Sequence, residues 1–260
     1  MLKNQQQPRH NMVQIGLGIA TSKPDYLERE TVSTKSLSFD GTNDYVSFTA
    51  YSYEISGLGK DLSISFWAKR TDNNDEAVVL GNSSSGSFKR LYFDSDGDRL
   101  YIESDLNGQE AYASVTADTN WHHYVIASLG SAGGAAATVA VYEDGSSLTV
   151  TNTNFGAHTT TDITLNRIGA DVNTDGTKEF KGLLYQVAIF NKTLNDGQVT
   201  AIYNSGNPIP LQENLGEYVS AGHLLNLWKF SEGSGETVAD FGELERTGAI
   251  TNATFSSTTP

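Results

Sequence analysis

Short runs of alternating apolar and polar residues dominate this chain, and turn residues bound them. At residues 62–69 the run LSISFWAK puts Leu62, Ile64, Phe66 and Ala68 on one face and Trp67 on the other. That period of two is the pattern of a strand in a sheet with one face buried. Further strands are predicted at 77–80, 88–94, 99–103, 111–115, 121–129, 138–143, 147–150, 163–168 and 183–190. The segment 36–48, SLSFDGTNDYVSF, reads as a hairpin: Leu37 and Phe39 alternate with polar neighbours, Gly41 and the Asn43-Asp44 pair supply the turn, and Tyr45, Val46 and Phe48 resume. Ser95-Asp96-Gly97-Asp98 and Asp144-Gly145 mark two more hairpins.

A helical period occurs at 195–204, where Asn195 or Asp196 offers a cap, Val199, Ile202 and Tyr203 share a face and Gly206 ends the run. A second short helix is expected at 211–221. Residues 224–230 and 249–255 read as two closing strands. Residues 1–34 have no sustained period and read as an extended N-terminal arm. The chain thus divides into an arm (1–34), a β body (35–207), and a C-terminal linker with strands that complete the body (208–260). The fold class is all-β, a two-sheet antiparallel sandwich with one or two short helices.

Charge narrows the partners. With 17 basic and 31 acidic residues the net charge is −14 over 260 residues. No basic cluster is present to neutralise phosphates, so nucleic acid and anionic membrane surfaces are not expected partners. The absence of cysteine excludes disulfides, thiolate metal sites and cysteine nucleophiles. No apolar run reaches the roughly 18 residues of a membrane span. Residues 12–20, MVQIGLGIA, are too short and too interrupted by Gln14 and glycine to read as a signal peptide.

Five segments together resemble the laminin-G-like, concanavalin A-like jelly-roll family, in the form found in phage virion and bacterial surface proteins. They are SLSFDGTNDYVSF at 36, DLSISFWAKR at 61, WHHYV at 121, VYEDGS at 141 and FKGLLYQVAIFNKTLNDGQVTAIYNSGNP at 180. A sixth family phrase, LLNLWKFSEGSGETVADF at 224–241, stands after the closing helix, where relatives usually carry it before the first hairpin. The resemblance implies that this strand returns to its usual place in the sheet, in preference to pairing with another subunit. It also implies a calcium site, but the acidic pair that relatives use is replaced by Tyr185 and Gln186, so Asp40 and Asp44 are read as turn residues.

Asp171, Asn173 and Asp175, followed by Gly176, have the one-three-five spacing of a calcium loop, although Gly182 occupies the twelfth position. The same residues also suit a polar turn. Asp94, Asp96 and Asp98 are a weaker version of the same pattern. His122 and His123 are neighbours on a strand, so they point to opposite faces and do not chelate one ion together. A glycosidase needs two carboxylates flanking the scissile bond. Glu103-Ser104-Asp105 begins such a pattern, but Asn107 and Gly108 stand where its third acid belongs, and Glu110 lies further on. There is no G-x-S-x-G elbow. Tyr51, Tyr53 and Tyr112 are the candidate sugar-stacking residues.

These observations predict a non-enzymatic virion structural or decoration protein of a phage that contacts other virion proteins or copies of itself through residues 1–34, and that also touches host glycans. The alternative is a carbohydrate-binding adhesin domain at a cell surface or on a tail fibre. A glycoside hydrolase ranks third. No cofactor is expected unless calcium binds at 171–175.

Overall fold

A computed structural model describes residues 31–54, 61–71, 76–83, 90–105, 109–129, 138–153, 162–172 and 178–260. Strands are numbered in chain order. Among the described residues the first sheet runs β10 (Ser146–Leu148), β9 (Thr138–Glu143), β8 (Trp121–Leu129), β3 (Leu62–Arg70), β13 (Lys181–Phe190), β1 (Ser36–Asp40), β17 (Thr254–Ser256), with β14 (Leu224–Trp228) also on β13. The second runs β11 (Val150–Thr153), β7 (Gln109–Ser114), β6 (Arg99–Asp105), β5 (Arg90–Phe93), β4 (Ala77–Gly81), β12 (Asp162–Ile168), β2 (Tyr45–Glu54), β16 (Gly248–Thr251), β15 (Thr237–Val238). Every strand pairing is antiparallel. The two sheets enclose a core of Leu37, Phe39, Val46, Phe66, Phe93, Ile102, Tyr124, Ile168, Leu184 and Trp228, the two-layer sandwich that the alternation predicted.

The first predicted hairpin takes a different form. β1 and β2 do not pair with each other: β1 lies in the first sheet and β2 in the second, so the 40–45 turn is a corner that crosses between sheets. Gly41 supports it at φ +79°, and Asp44 Oδ2 accepts from Asp40 N at 2.8 Å. Residues 249–255, expected as one strand, are likewise split. β16 pairs with β2 and β17 with β1, and Asn252 at φ +59° makes the crossing. The two corners lie side by side, joined by Asn252 Nδ2 donating to Asn43 Oδ1 at 2.7 Å. A period of two identifies extended chain, but which sheet each half joins depends on distant partners.

The single α-helix among the described residues, α1 (Asp196–Tyr203), begins in a capping box: Asn195 Oδ1 accepts from Gln198 N, and Gln198 Oε1 from Asn195 N. It ends with Asn204 in the left-handed region. The helix expected at 211–221 does not form. That segment is an irregular strap whose Leu211 and Tyr218 are buried, and Tyr218 Oη donates to Leu211 O at 2.7 Å. Strap and α1 cover the outer face of the first sheet in a second apolar cluster of Val125, Ala127, Tyr142, Ala188, Phe190, Val199, Ile202, Leu211 and Tyr218. β3 is therefore buried on both faces. The polar side of its alternation survives because each serine is bonded: Ser63 Oγ accepts from Leu194 N at 2.9 Å, and Ser65 Oγ bonds His123 Nε2 at 2.9 Å.

Candidate functional site

With one outer face sealed by α1 and the strap, the outer face of the second sheet is the one that presents rings and charges. Its register generates an ordered lattice. Leu91, Phe93, Leu100, Ile102, Ala111 and Ala113 face the core, so the alternate residues of β5, β6 and β7 face outward. Cross-strand pairing then aligns Tyr92 with Tyr101, Tyr101 with Tyr112 and Tyr112 with Thr151. The ring centroids are 5.1 Å apart for Tyr92–Tyr101 and 4.7 Å for Tyr101–Tyr112, with interplanar angles of 13° and 30°. This is the strand spacing, so the rings stand on edge and lean on one another; Tyr101 and Tyr112 are partly exposed, while Tyr92, at 8%, is covered at the inner end of the row.

A charged row flanks the tyrosines on each side. On one side Arg99 pairs with Ser114; its guanidinium lies 5.5 Å from the Tyr112 ring centroid, and its side chain is 42% exposed. On the other side Arg90, Glu103 and Glu110 are successive cross-strand neighbours. Arg90 is buried. It stacks over Tyr92 at 4.1 Å, donates to Glu103 Oε2 at 2.8 Å, contacts Glu76 and lies 3.5 Å from Asp171 Oδ2. Burial works against its charge, but the hydrogen bond to Glu103 and the fields of Glu76 and Glu103 outweigh that and raise its pKa. Burial also raises the Glu103 pKa, with Arg90 opposing. At the inner end of the row, Val78 is covered by the segment that follows β12, where Val78 N donates to Lys178 O at 2.9 Å. The arrangement is a strip of ring edges and hydroxyls between donors of Arg99 and acceptors of Glu110.

Of the predicted sugar-stacking residues, only Tyr112 belongs to this face. Tyr53 is 1% exposed and donates to Asn226 Oδ1 at 2.6 Å. Tyr51 is wedged between Tyr53 at 4.9 Å and the Arg246 guanidinium at 4.8 Å. Tyr92 and Tyr101 were not singled out from the sequence. Their signal was available in RLYF and RLYI, where tyrosine has the parity of the charged residues.

Asp171 is 3% exposed and faces Arg90, while Arg167 donates to its carbonyl oxygen. Asn173 and Asp175 lie outside the described residues. Among the described residues no group of three or more histidines and acids is disposed to hold a metal ion. Asp94 accepts from Gly97 N at 2.9 Å through its carbonyl, and Gly97 adopts φ +65°, the geometry of a tight turn. Tyr185 and Gln186 are structural: Tyr185 Oη donates to Ser33 O at 3.0 Å, and Gln186 Nε2 donates to Ile209 O at 2.7 Å.

The two histidines do face opposite ways. His122 lies among carboxylates, with Nδ1 2.7 Å from Asp144 Oδ2 and Nε2 3.0 Å from Asp118 Oδ1, and these bonds raise its pKa to about 9. His123 is sealed between Trp67 and Tyr203, where burial lowers its pKa to about 3.

A family model, described as the concanavalin A-like lectin/glucanases superfamily, matches residues 40–200. None of the curated proteins compared with the chain matches it. Among solved structures, a "putative carbohydrate binding protein" from Bacteroides ovatus superposes with a TM-score of 0.58 at 13% identity, covering 87% of this chain and 60% of that one. The heptameric SAP-like pentraxin of Limulus polyphemus superposes with a TM-score of 0.52 at 18% identity, covering 69% of this chain and 86% of the pentraxin. The chain thus spans 60% of the length of the Bacteroides protein. At these identities the likeness speaks for the fold.

Proposed function

Because the chain belongs to the concanavalin A-like lectin/glucanases superfamily, we propose that it is a carbohydrate-binding domain that holds a glycan on the tyrosine strip of its second sheet without cleaving it. One observation carries this reading: three tyrosines in cross-strand register on an outer face, between an exposed arginine and a glutamate row. A sugar has apolar C–H patches and a rim of hydroxyls that donate and accept at once. Ring edges supply apolar contact, phenol hydroxyls and guanidinium N–H groups donate, and carboxylates accept. Few precisely placed polar groups on a mostly apolar platform are what orient a small ligand.

The same geometry argues against cleavage. Glu103 and Glu110 face each other across β6 and β7. A glycosidase needs one of such a pair to deliver a proton. Glu103 instead accepts from Arg90 at 2.8 Å and serves as the guanidinium's partner.

A glycan array, run with and without calcium, tests the reading. Binding is expected in both conditions. Tyr101→Ala, which removes the middle rung, is expected to weaken the retained glycan at least tenfold, about 1.4 kcal/mol. Mass spectrometry of that glycan after incubation is expected to find it intact. Silence of the array in both conditions, or equal binding by Tyr101→Ala, overturns the proposal.

A second reading puts the domain on a phage particle or a cell surface, with residues 1–34 as its assembly arm. The root of that segment is tied into the body, since Ser33 O accepts from Tyr185 Oη at 3.0 Å. Residues 1–30 lie outside the described ones. Deleting them and measuring mass by sedimentation separates the two readings. Glycan binding survives the deletion; self-association through the arm does not.

A further inference from the structure

Residues 208–260 form a second depression, away from the tyrosine strip. Its walls are Gln212, Ala221, Gly222, Leu224, Phe241 and Glu243, and its volume is about 410 Å³. That is at the small end of the range for small-molecule sites. Phe241 is one of two large apolar side chains exposed among the described residues, at 38%. Singly exposed apolar residues need no explanation. This one is rigidly mounted and has polar company.

Phe241 N donates to Leu227 O at 2.8 Å and Glu243 N to Leu224 O at 2.9 Å, so the turn that bears both residues is bonded to β14. Lys229 Nζ lies 3.9 Å from the Phe241 ring centroid and donates to Gln212 Oε1 at 2.9 Å. The ammonium therefore fixes both ring and amide. With Oε1 engaged, the NH2 of Gln212 is the half of the amide left for a ligand. Gly222 is an exposed wall residue, and an added Cβ there meets nothing within 4 Å.

We propose that this depression is a second saccharide site, sized for one sugar unit. Phe241 gives the apolar contact, the Gln212 amide donates to a hydroxyl and the Glu243 carboxylate accepts from one. An apolar guest leaves the amide and carboxylate unpaired. A protein partner needs a standard interface of roughly 1,200 Å² or more, which a depression this small does not supply. From the proposed function this inference takes only the class of ligand. Two sites on one chain also raise avidity for a repeating glycan when both engage it.

The test uses the full chain, isotopically labelled for amide NMR and titrated to millimolar concentration with glucose, galactose, fucose, N-acetylglucosamine and N-acetylneuraminic acid in turn. At least one sugar is expected to move the amides of Ala221, Gly222, Phe241 and Glu243. Gly222→Leu adds a bulky side chain to the wall of the depression and is expected to weaken that response at least tenfold, leaving the response at Tyr101 and Tyr112 unchanged. Phe241→Ala, at an exposed position, is expected to do the same and serves if Gly222→Leu does not fold. Tyr101→Ala is expected to spare this site, so loss of binding at the tyrosines alone counts against the first site and not this one. No shift of the four amides with any sugar overturns the proposal. So does an unchanged response in both Gly222→Leu and Phe241→Ala. Shifts of these amides on deleting residues 1–30, without a response to sugar, mark the chain's own arm as the occupant and also overturn it.

Discussion

Asp240 is the residue whose removal most directly tests how the C-terminal segment is held. It is 8% exposed, and its carboxylate accepts four hydrogen bonds: from Leu227 N at 2.7 Å, Gly242 N at 2.9 Å, Asn226 Nδ2 at 2.6 Å and Arg246 N at 2.7 Å. One side chain thereby ties β14 to the turn that carries Phe241. In Asp240→Ala, the Gly242 and Arg246 amides are partly exposed and can turn to water. Leu227 and Asn226 are 0% exposed, so their two donors stay buried without a partner. An unsatisfied buried donor costs about 1–3 kcal/mol. With the lost charge-assisted bonds, the expected destabilisation is about 3–5 kcal/mol. For a chain of this size that lowers Tm by roughly 6–20 °C. Asp240→Asn should fall in between, because it keeps one acceptor oxygen but turns an NH2 toward a donor. Tyr53→Phe, which removes the phenol donor and leaves Asn226 Oδ1 buried without it, should cost about 1–3 kcal/mol. Guanidinium denaturation followed by fluorescence and circular dichroism measures all three. If Asp240→Ala costs less than about 1 kcal/mol with an unchanged m-value, the carboxylate does not hold the C-terminal segment to β14.

The paired histidines predict stability that peaks near pH 6.5. His123 has a depressed folded pKa of about 3, so the unfolded chain binds its proton first and about 2 kcal/mol is lost by pH 5. His122, raised to about 9, contributes fully below pH 6.5 and is lost as pH climbs through 9; allowing for solvent screening this is about 1–2 kcal/mol, and His122→Gln should flatten the alkaline side of a Tm-versus-pH curve. Arg90→Met removes the guanidinium bonded to Glu103 at 2.8 Å and should cost about 3–5 kcal/mol at pH 7, with partial recovery toward pH 4 as Glu103, whose pKa burial raises, takes up a proton; equal loss at both pH values refutes the ion-pair account. With Asp171 already facing Arg90, millimolar calcium is expected to shift Tm by less than about 1 °C; a rise of several degrees that Asp171→Asn abolishes would assign the 171–175 loop to calcium.

Much of the sandwich was legible in local pattern. The alternation at 62–69, the Asp144-Gly145 turn with both residues at positive φ, and the Asn195 cap are short-range features whose physics is complete within a few residues. The opposite orientations of His122 and His123 follow from the pleat alone. The site was less legible. Tyr112 was found because aromatic residues are conspicuous, but Tyr53 carries the same label and is buried under Asn226. The strap at 211–221 has apolar residues near helical spacing, yet Leu211 and Tyr218 were better satisfied by the uncovered face of the first sheet.

By itself, the sequence determined that the chain is extended and paired, where it turns, which residues alternate inward and how α1 begins. Tertiary structure alone decided that 36–48 and 249–255 each cross between sheets, that Tyr92, Tyr101 and Tyr112 fall into one row, and that Phe241 is left exposed beside Gln212 and Glu243. The reason is physical. Periodicity and capping are set by neighbours in the chain, whereas register, sheet membership and exposure are set by segments that meet only when the core closes.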